Sequence, residues 1–134
     1  MNPINPKNLL HLPAEVAPTA IILAAGEGKR MKSQLPKVLH LLGGVPILFY
    51  PLNLAERNAF QKIIVVVGHK AEQVEKVLAG RDISQGTVSS QGSPQTVLQP
   101  QRLGTGDAVL RAEPLLKDST GPVFILNGDT PLIL

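Results

Sequence analysis

The run Leu23-Ala24-Ala25-Gly26-Glu27-Gly28-Lys29-Arg30-Met31, followed shortly by Leu35-Pro36-Lys37, joins an apolar stretch to a glycine-bearing loop flanked by cations. Without a Cβ, Gly26 and Gly28 let backbone N–H groups approach an anion, while Lys29, Arg30 and Lys37 supply positive charge. The chemistry expected of such a loop is the holding of phosphates, which points to a nucleotide-handling enzyme. The pattern is not the dinucleotide fingerprint, because Met31 stands where a third glycine belongs and no acidic residue closes a second strand in the ribose-binding manner. It is not a Walker A loop either, since Gly-Lys-Ser/Thr does not follow at the required distance. Two further polar clusters stand out: Gln99 to Asp107, which holds Gly104-Thr105-Gly106, and Asn127-Gly128-Asp129, which puts a carboxylate just past an apolar run.

These clusters need a scaffold, and the hydrophobic pattern supplies one. Thr19 to Ala25 is continuously apolar after its first residue and stops at glycine, as a strand covered on both faces does. Lys62 to Val67 reads as a second buried strand stopped by Gly68, Thr96-Val97-Leu98 as a short third, and Pro122 to Leu126 as a fourth. Helical spacing links Leu48, Leu52, Ala55 and Ala59, then Ala71, Val74, Val77 and Leu78, then Val109, Ala112 and Leu116. Gly43-Gly44 signals a turn and Pro46 suits a first helical position, while Pro51 predicts a kink or a late start to the first helix. Thr105 is the expected cap of the third helix, with Asp107 against its positive end and Pro114 cutting it short. The stretch from Gly80 to Gln95 is polar and reads as a surface connection. Alternating strands and helices imply an α/β fold, Rossmann-like, with a mostly parallel open sheet and flanking helices, in which ligands bind beyond the carboxyl ends of the strands. All three polar clusters lie at those ends.

A length of 134 residues fits one domain with its own core, and 43% hydrophobic and 17% charged residues fit a globular protein. The absence of cysteine removes disulfides and thiolate metal sites and suits a reducing, cytoplasmic setting. Residues 1–18, with prolines at 3, 6, 13 and 18, read as a Pro-rich extension without the features of a secretory signal, and no segment is apolar for long enough to span a bilayer. A net charge of +3 comes from scattered cations, and four aromatic residues provide few stacking platforms, so neither nucleic acid nor a membrane is expected as a partner. His11, His40 and His69 are separated singletons and are not read as metal ligands.

Taken together, Leu23-Ala24-Ala25-Gly26-x-Gly28-x-Arg30-Met31 and Leu35-Pro36-Lys37-Val38-Leu39 resemble the signature of the sugar-phosphate nucleotidyltransferases. Leu98 to Ala108 and Leu126 to Ile133 resemble the second and third signatures of one branch, the bifunctional N-acetylglucosamine-1-phosphate uridyltransferase and glucosamine-1-phosphate acetyltransferase. The resemblance covers residues 19–134 and implies the nucleotide-binding half of a nucleotidyltransferase domain of the nucleotide-diphospho-sugar transferase fold, apparently truncated. It implies transfer of UMP from UTP to N-acetylglucosamine 1-phosphate with release of pyrophosphate and with Mg²⁺ as cofactor, in the supply of cell-wall precursor. Weak turnover by this chain alone is implied as well, together with a homotrimer only where a C-terminal β-helix is present.

Residue by residue, the resemblance places Leu23, Ala24, Ala25 and Gly26 along the nucleotide, Arg30 on the departing phosphates and Lys37 near the reacting α-phosphate. Gln99 would read the base edge, Gly104 and Thr105 would meet the base through their backbone, Asn127 and Gly128 would line the nucleotide site, and Asp129 would hold the metal. Each has an ordinary alternative: Arg30 and Lys37 as surface charges, Gln99 as a strand cap, Asp129 as a turn former beside Gly128. The chain departs from the family pattern with Lys29 for threonine, Asp107 for histidine and Asn127 for tyrosine. A nucleotidyltransferase using CTP, dTTP or GTP, and a non-catalytic nucleotide-binding module, are the competing functions.

Overall fold

A computed structural model describes residues 18–26, 35–58, 60, 62–81, 94–117, 119 and 121–129. Its centre is a four-stranded, wholly parallel sheet made of β1 (Thr19–Ala24), β4 (Lys62–Val67), β5 (Gln95–Leu98) and β6 (Val123–Asn127). In space the order is β5-β4-β1-β6. The chain therefore builds outward from β1 in one direction, then returns to lay β6 on the other side. That reversal puts a topological switch point between β1 and β6, where the loops leaving the two strands diverge and open a crevice.

Both faces of the sheet are covered, which is why its central strands read as unbroken apolar runs rather than alternating ones. Side chains still alternate between the two faces. Ala20, Ile22, Ala24, Val65 and Val67 share a core with Leu48, at the N-cap of α1 (Phe49–Arg57), with Leu52 and Ala55 of that helix, and with Val74 of α2 (Ala71–Ala79). Ile21, Ala25, Ile64 and Val66 meet Ala108 and Ala112 of α3 (Thr105–Ala112) on the opposite side. Leu52 is fully buried in the first of these cores. Leu52→Ala is expected to cost about 3 kcal/mol through lost burial and a residual cavity, measured as a lower urea midpoint with an unchanged slope.

The Gly43-Gly44 turn and the late start of the first helix agree with the sequence expectation, whereas Pro46, Thr105 and the start of β5 differ from it. Gly43 and Gly44, at φ +62° and +81°, form a two-residue turn between the short antiparallel strands β2 (Leu41–Leu42) and β3 (Val45–Pro46), so Pro46 lies in a strand and not at a helix start. The helix begins late, at Phe49, which leaves Pro51 in the first turn, where its missing N–H forfeits no intrahelical bond. Thr105 is the first residue of α3 rather than its cap; the cap position is Gly104, and Glu113–Leu116, holding Pro114, tightens into a 3₁₀ turn. Strand β5 starts one residue early, at Gln95.

Candidate functional site

The carboxyl edge of the sheet is assembled by close backbone contacts between successive strand ends. After β5, the Gln99 N–H donates to Val67 O of β4 at 2.7 Å. After β4, Gly68 lies against Ala25, whose Cβ would come within 2.9 Å of any Cβ at position 68. After β6, the Gly128 N–H donates to Leu23 O at 2.9 Å. A Cβ on Gly128 would stand 2.7 Å from that same oxygen and 3.2 Å from Val38 Cγ1, so only glycine allows the strand end to sit this tightly. The outcome is a floor of small residues running across the edge. A Cβ on Gly26, Gly104 or Gly106 meets nothing within 4 Å among the described residues.

Two charged or polar clusters stand on this floor. The tight seat of Gly128 delivers Asp129 to Lys37, with Nζ and Oδ2 3.0 Å apart and the two side chains 45% and 39% exposed. Lys37 is aimed by a single 3₁₀ turn, Lys37–Leu39, whose Val38 and Leu39 are buried and whose Leu39 N–H returns to Pro36 O. Buried apolar residues thus fix the backbone while the ammonium reaches out. A half-exposed pair of this kind contributes at most about 1 kcal/mol, so a ligand offering an anion to Lys37 and a cation to Asp129 opens it at little cost.

The second cluster is at the end of β5. Gln99, buried to 6% exposure, donates from Nε2 to Gly104 O at 3.1 Å and to Asp107 Oδ2 at 3.0 Å. The Arg111 Nε, one turn along α3, lies 3.5 Å from the same carboxylate oxygen. Gly104 has φ +94°, a conformation that L side chains rarely adopt, and it turns the chain into the start of α3. Gln99 and Asp129 follow the two outermost strands, so three inter-strand spacings, roughly 14 Å, separate their backbones.

A single half-exposed carboxylate suits a hard cation that arrives with phosphates and keeps several waters. A resident metal cage is not built here: among the described residues no group of three or more His, Asp or Glu side chains converges.

The family profile described as "MobA-like NTP transferase domain" matches residues 20–134. The chain belongs to this family. Bifunctional protein GlmU of Streptococcus gordonii is 46% identical to this NTP transferase domain over 114 residues, 85% of the chain and 22% of that relative. The GlmU of Streptococcus sanguinis is 47% identical over the same shares, so the chain spans about a fifth of the length of these curated relatives. Among solved structures, the inositol-1-phosphate CTP transferase from T. maritima aligns with a TM-score of 0.65 at 26% identity, over 83% of this chain and 43% of that one. HddC from Yersinia pseudotuberculosis, complexed with GMP-PN, aligns with a TM-score of 0.66 at 26% identity, over 83% and 47%. The mostly parallel open sheet with flanking helices is the fold these transferases share.

Within this NTP transferase domain, Leu23, Ala24, Ala25, Gly26, Asn127 and Gly128 come together at the β1/β6 switch point with Lys37 and Asp129, while Gln99, Gly104 and Thr105 gather at the β5 end. Arg30, with Gly28, Lys29 and Met31, lies outside the described residues. Two participants were not singled out from sequence. Gly68 carries the edge from Ala25 to Gln99, and its position directly after an apolar run, like that of Gly26, was the available signal. Asp107 was noted as a helix-terminal charge and a departure from the family pattern, yet it also holds Gln99; its i,i+4 relation to Arg111 gave no hint of that.

Among the described residues no helix is long and apolar enough to cross a membrane.

Proposed function

We propose that residues 19–134 are the nucleotide-binding half of a uridylyltransferase that moves UMP from UTP to N-acetylglucosamine 1-phosphate. In that reaction a phosphate oxygen of the sugar phosphate forms a bond to the α-phosphorus of UTP, the bond from that phosphorus to the bridging oxygen breaks, and pyrophosphate leaves. The observation that carries the reading is the Lys37–Asp129 pair at the switch point of a parallel sheet, a cation and a carboxylate side by side where nucleotides bind in such sheets. Lys37 would turn from Asp129 to the α-phosphate, lending charge as negative charge accumulates there. Asp129 would hold the Mg²⁺ that accompanies the triphosphate, an ion that neutralises phosphate charge. Arg30 would grip the departing phosphates with its planar fork. The base would lie toward Gln99, Gly104 and Thr105, with Leu23 to Gly26 and Asn127-Gly128 beneath the sugar and phosphates. The resemblance to the bifunctional uridyltransferase supports UTP, the amino sugar phosphate and a cytoplasmic place in cell-wall precursor supply.

Thermal-shift titration of the chain with UTP, CTP, GTP and dTTP, each with Mg²⁺, tests this. UTP is expected to raise Tm most, by linkage worth about 2.7 kcal/mol at a hundred times its Kd. A larger shift with CTP or GTP would transfer the assignment to another nucleotidyltransferase, and pyrophosphate release on adding sugar phosphate would exclude a non-catalytic module. Gly26 offers a sharper check. It has no positive φ and no neighbour for an added Cβ among the described residues, so no described contact requires glycine there. Gly26→Ala is expected to change stability by under about 0.5 kcal/mol while weakening UTP binding about tenfold, as calorimetric titration would read.

A further inference from the structure

The Gln99 side chain commits both of its N–H bonds inside the protein. Its Nε2 faces Gly104 O at 3.1 Å and Asp107 Oδ2 at 3.0 Å, two acceptors, so the opposite amide orientation would set oxygen against oxygen at both positions. Oε1 is left as the amide atom not engaged in these contacts. Asp107 is itself held from the far side by Arg111, which keeps the carboxylate turned toward Gln99. At the adjoining turn, an added Cβ at Gly104 or Gly106 meets no neighbour within 4 Å among the described residues.

We propose that Asp107 is a specificity-determining positioning residue: by fixing the Gln99 amide, it leaves the nucleotide base an acceptor and no donor. A free glutamine amide can rotate and suit a base that donates or one that accepts; this one cannot. Uracil brings a donor at N3–H. Cytosine brings a lone pair at N3, which would oppose the amide oxygen, and its N4–H donor reaches that oxygen only if the base shifts along its edge. Thymine shares the N3–H of uracil, so this contact separates UTP from CTP and leaves dTTP to other contacts. The inference rests on the nucleotide reading of the β5 end given above.

Calorimetric binding of UTP, CTP and 3-methyl-UTP to the full chain with Mg²⁺ tests it; in 3-methyl-UTP a methyl group replaces the N3 hydrogen and both carbonyl oxygens remain. The unsubstituted protein is expected to bind UTP about tenfold or more tightly than either analogue. Asp107→Ala, which removes one of the two acceptors that hold Nε2 and leaves Gly104 O as the other, is expected to lower the UTP to CTP ratio by about threefold, and Asp107→Asn, which keeps an oxygen facing Arg111 and Gln99, to restore it. A merely structural role for Asp107 would weaken both nucleotides alike and leave the ratio unchanged, which would overturn the proposal. Equal binding of UTP and 3-methyl-UTP by the unsubstituted protein would overturn it without any variant. Failure to bind any nucleoside triphosphate would overturn it together with the nucleotidyltransferase reading, whereas UTP binding with an unaltered ratio would leave that reading standing.

Discussion

Asp129→Asn is expected to remove most of the Mg²⁺-dependence of UTP binding and to lower turnover in the complete enzyme by on the order of 10²- to 10³-fold. A triphosphate with its magnesium needs a carboxylate on the metal side, and at the β1/β6 switch point Asp129 is the carboxylate beside Lys37. Asparagine keeps the shape and removes the charge. Stability should scarcely move, because a pair this exposed contributes at most about 1 kcal/mol. Titration of UTP with and without Mg²⁺, alongside a thermal melt, separates the two effects. An unchanged Mg²⁺-dependence in the variant would reduce Asp129 to a turn residue.

The second large effect is expected at Gly128. Its added methyl would stand 2.7 Å from Leu23 O and 3.2 Å from Val38 Cγ1. The first of these is backbone in the central strand of the sheet, hydrogen-bonded to Gly128 itself, and cannot yield as the tip of a flexible side chain does. Gly128→Ala is therefore expected to cost about 3 kcal/mol, or roughly 10 °C in Tm for a domain of this size. Relief would come by lifting the strand end, which carries Asp129 away from Lys37, so nucleotide binding should fall with stability. The contrast with Gly26→Ala, expected to affect binding alone, distinguishes a glycine required by the fold from one required by the ligand.

The parts of this fold that could be read from sequence were those in which a local pattern fixes the outcome. Ile21 to Ala25 and Ile63 to Val67 are apolar without interruption because both faces of their strands are covered, and each run ends at a glycine where the edge closes. The hairpin at Leu41 to Pro46 was hidden because its strands are two residues long and one contains proline, which suits a helix start equally well. The strand order was hidden too, since no periodicity tells β6 to lie beside β1 and not beside β5. The site shows the same division. Gly26, Lys37, Gln99 and Asp129 stood out by residue type and by their place after strands, but the approach of Lys37 to Asp129 depends on how β6 returns to the sheet and on the tight seat of Gly128. The grip of Asp107 on Gln99 likewise depends on the turn that Gly104 makes at positive φ.

A nucleoside triphosphate is proposed to lie along the carboxyl edge of the sheet, base toward Gln99 and phosphates between Lys37 and Asp129. A crystal of the chain grown with UTP and Mn²⁺ tests this directly, because the anomalous signal of manganese locates the metal independently of the nucleotide. The expected result is manganese on the Asp129 carboxylate, Lys37 Nζ turned from Asp129 to a phosphate oxygen, and uracil beside Gln99. UTP bound elsewhere, with the Lys37–Asp129 pair still closed and no metal on Asp129, would contradict it.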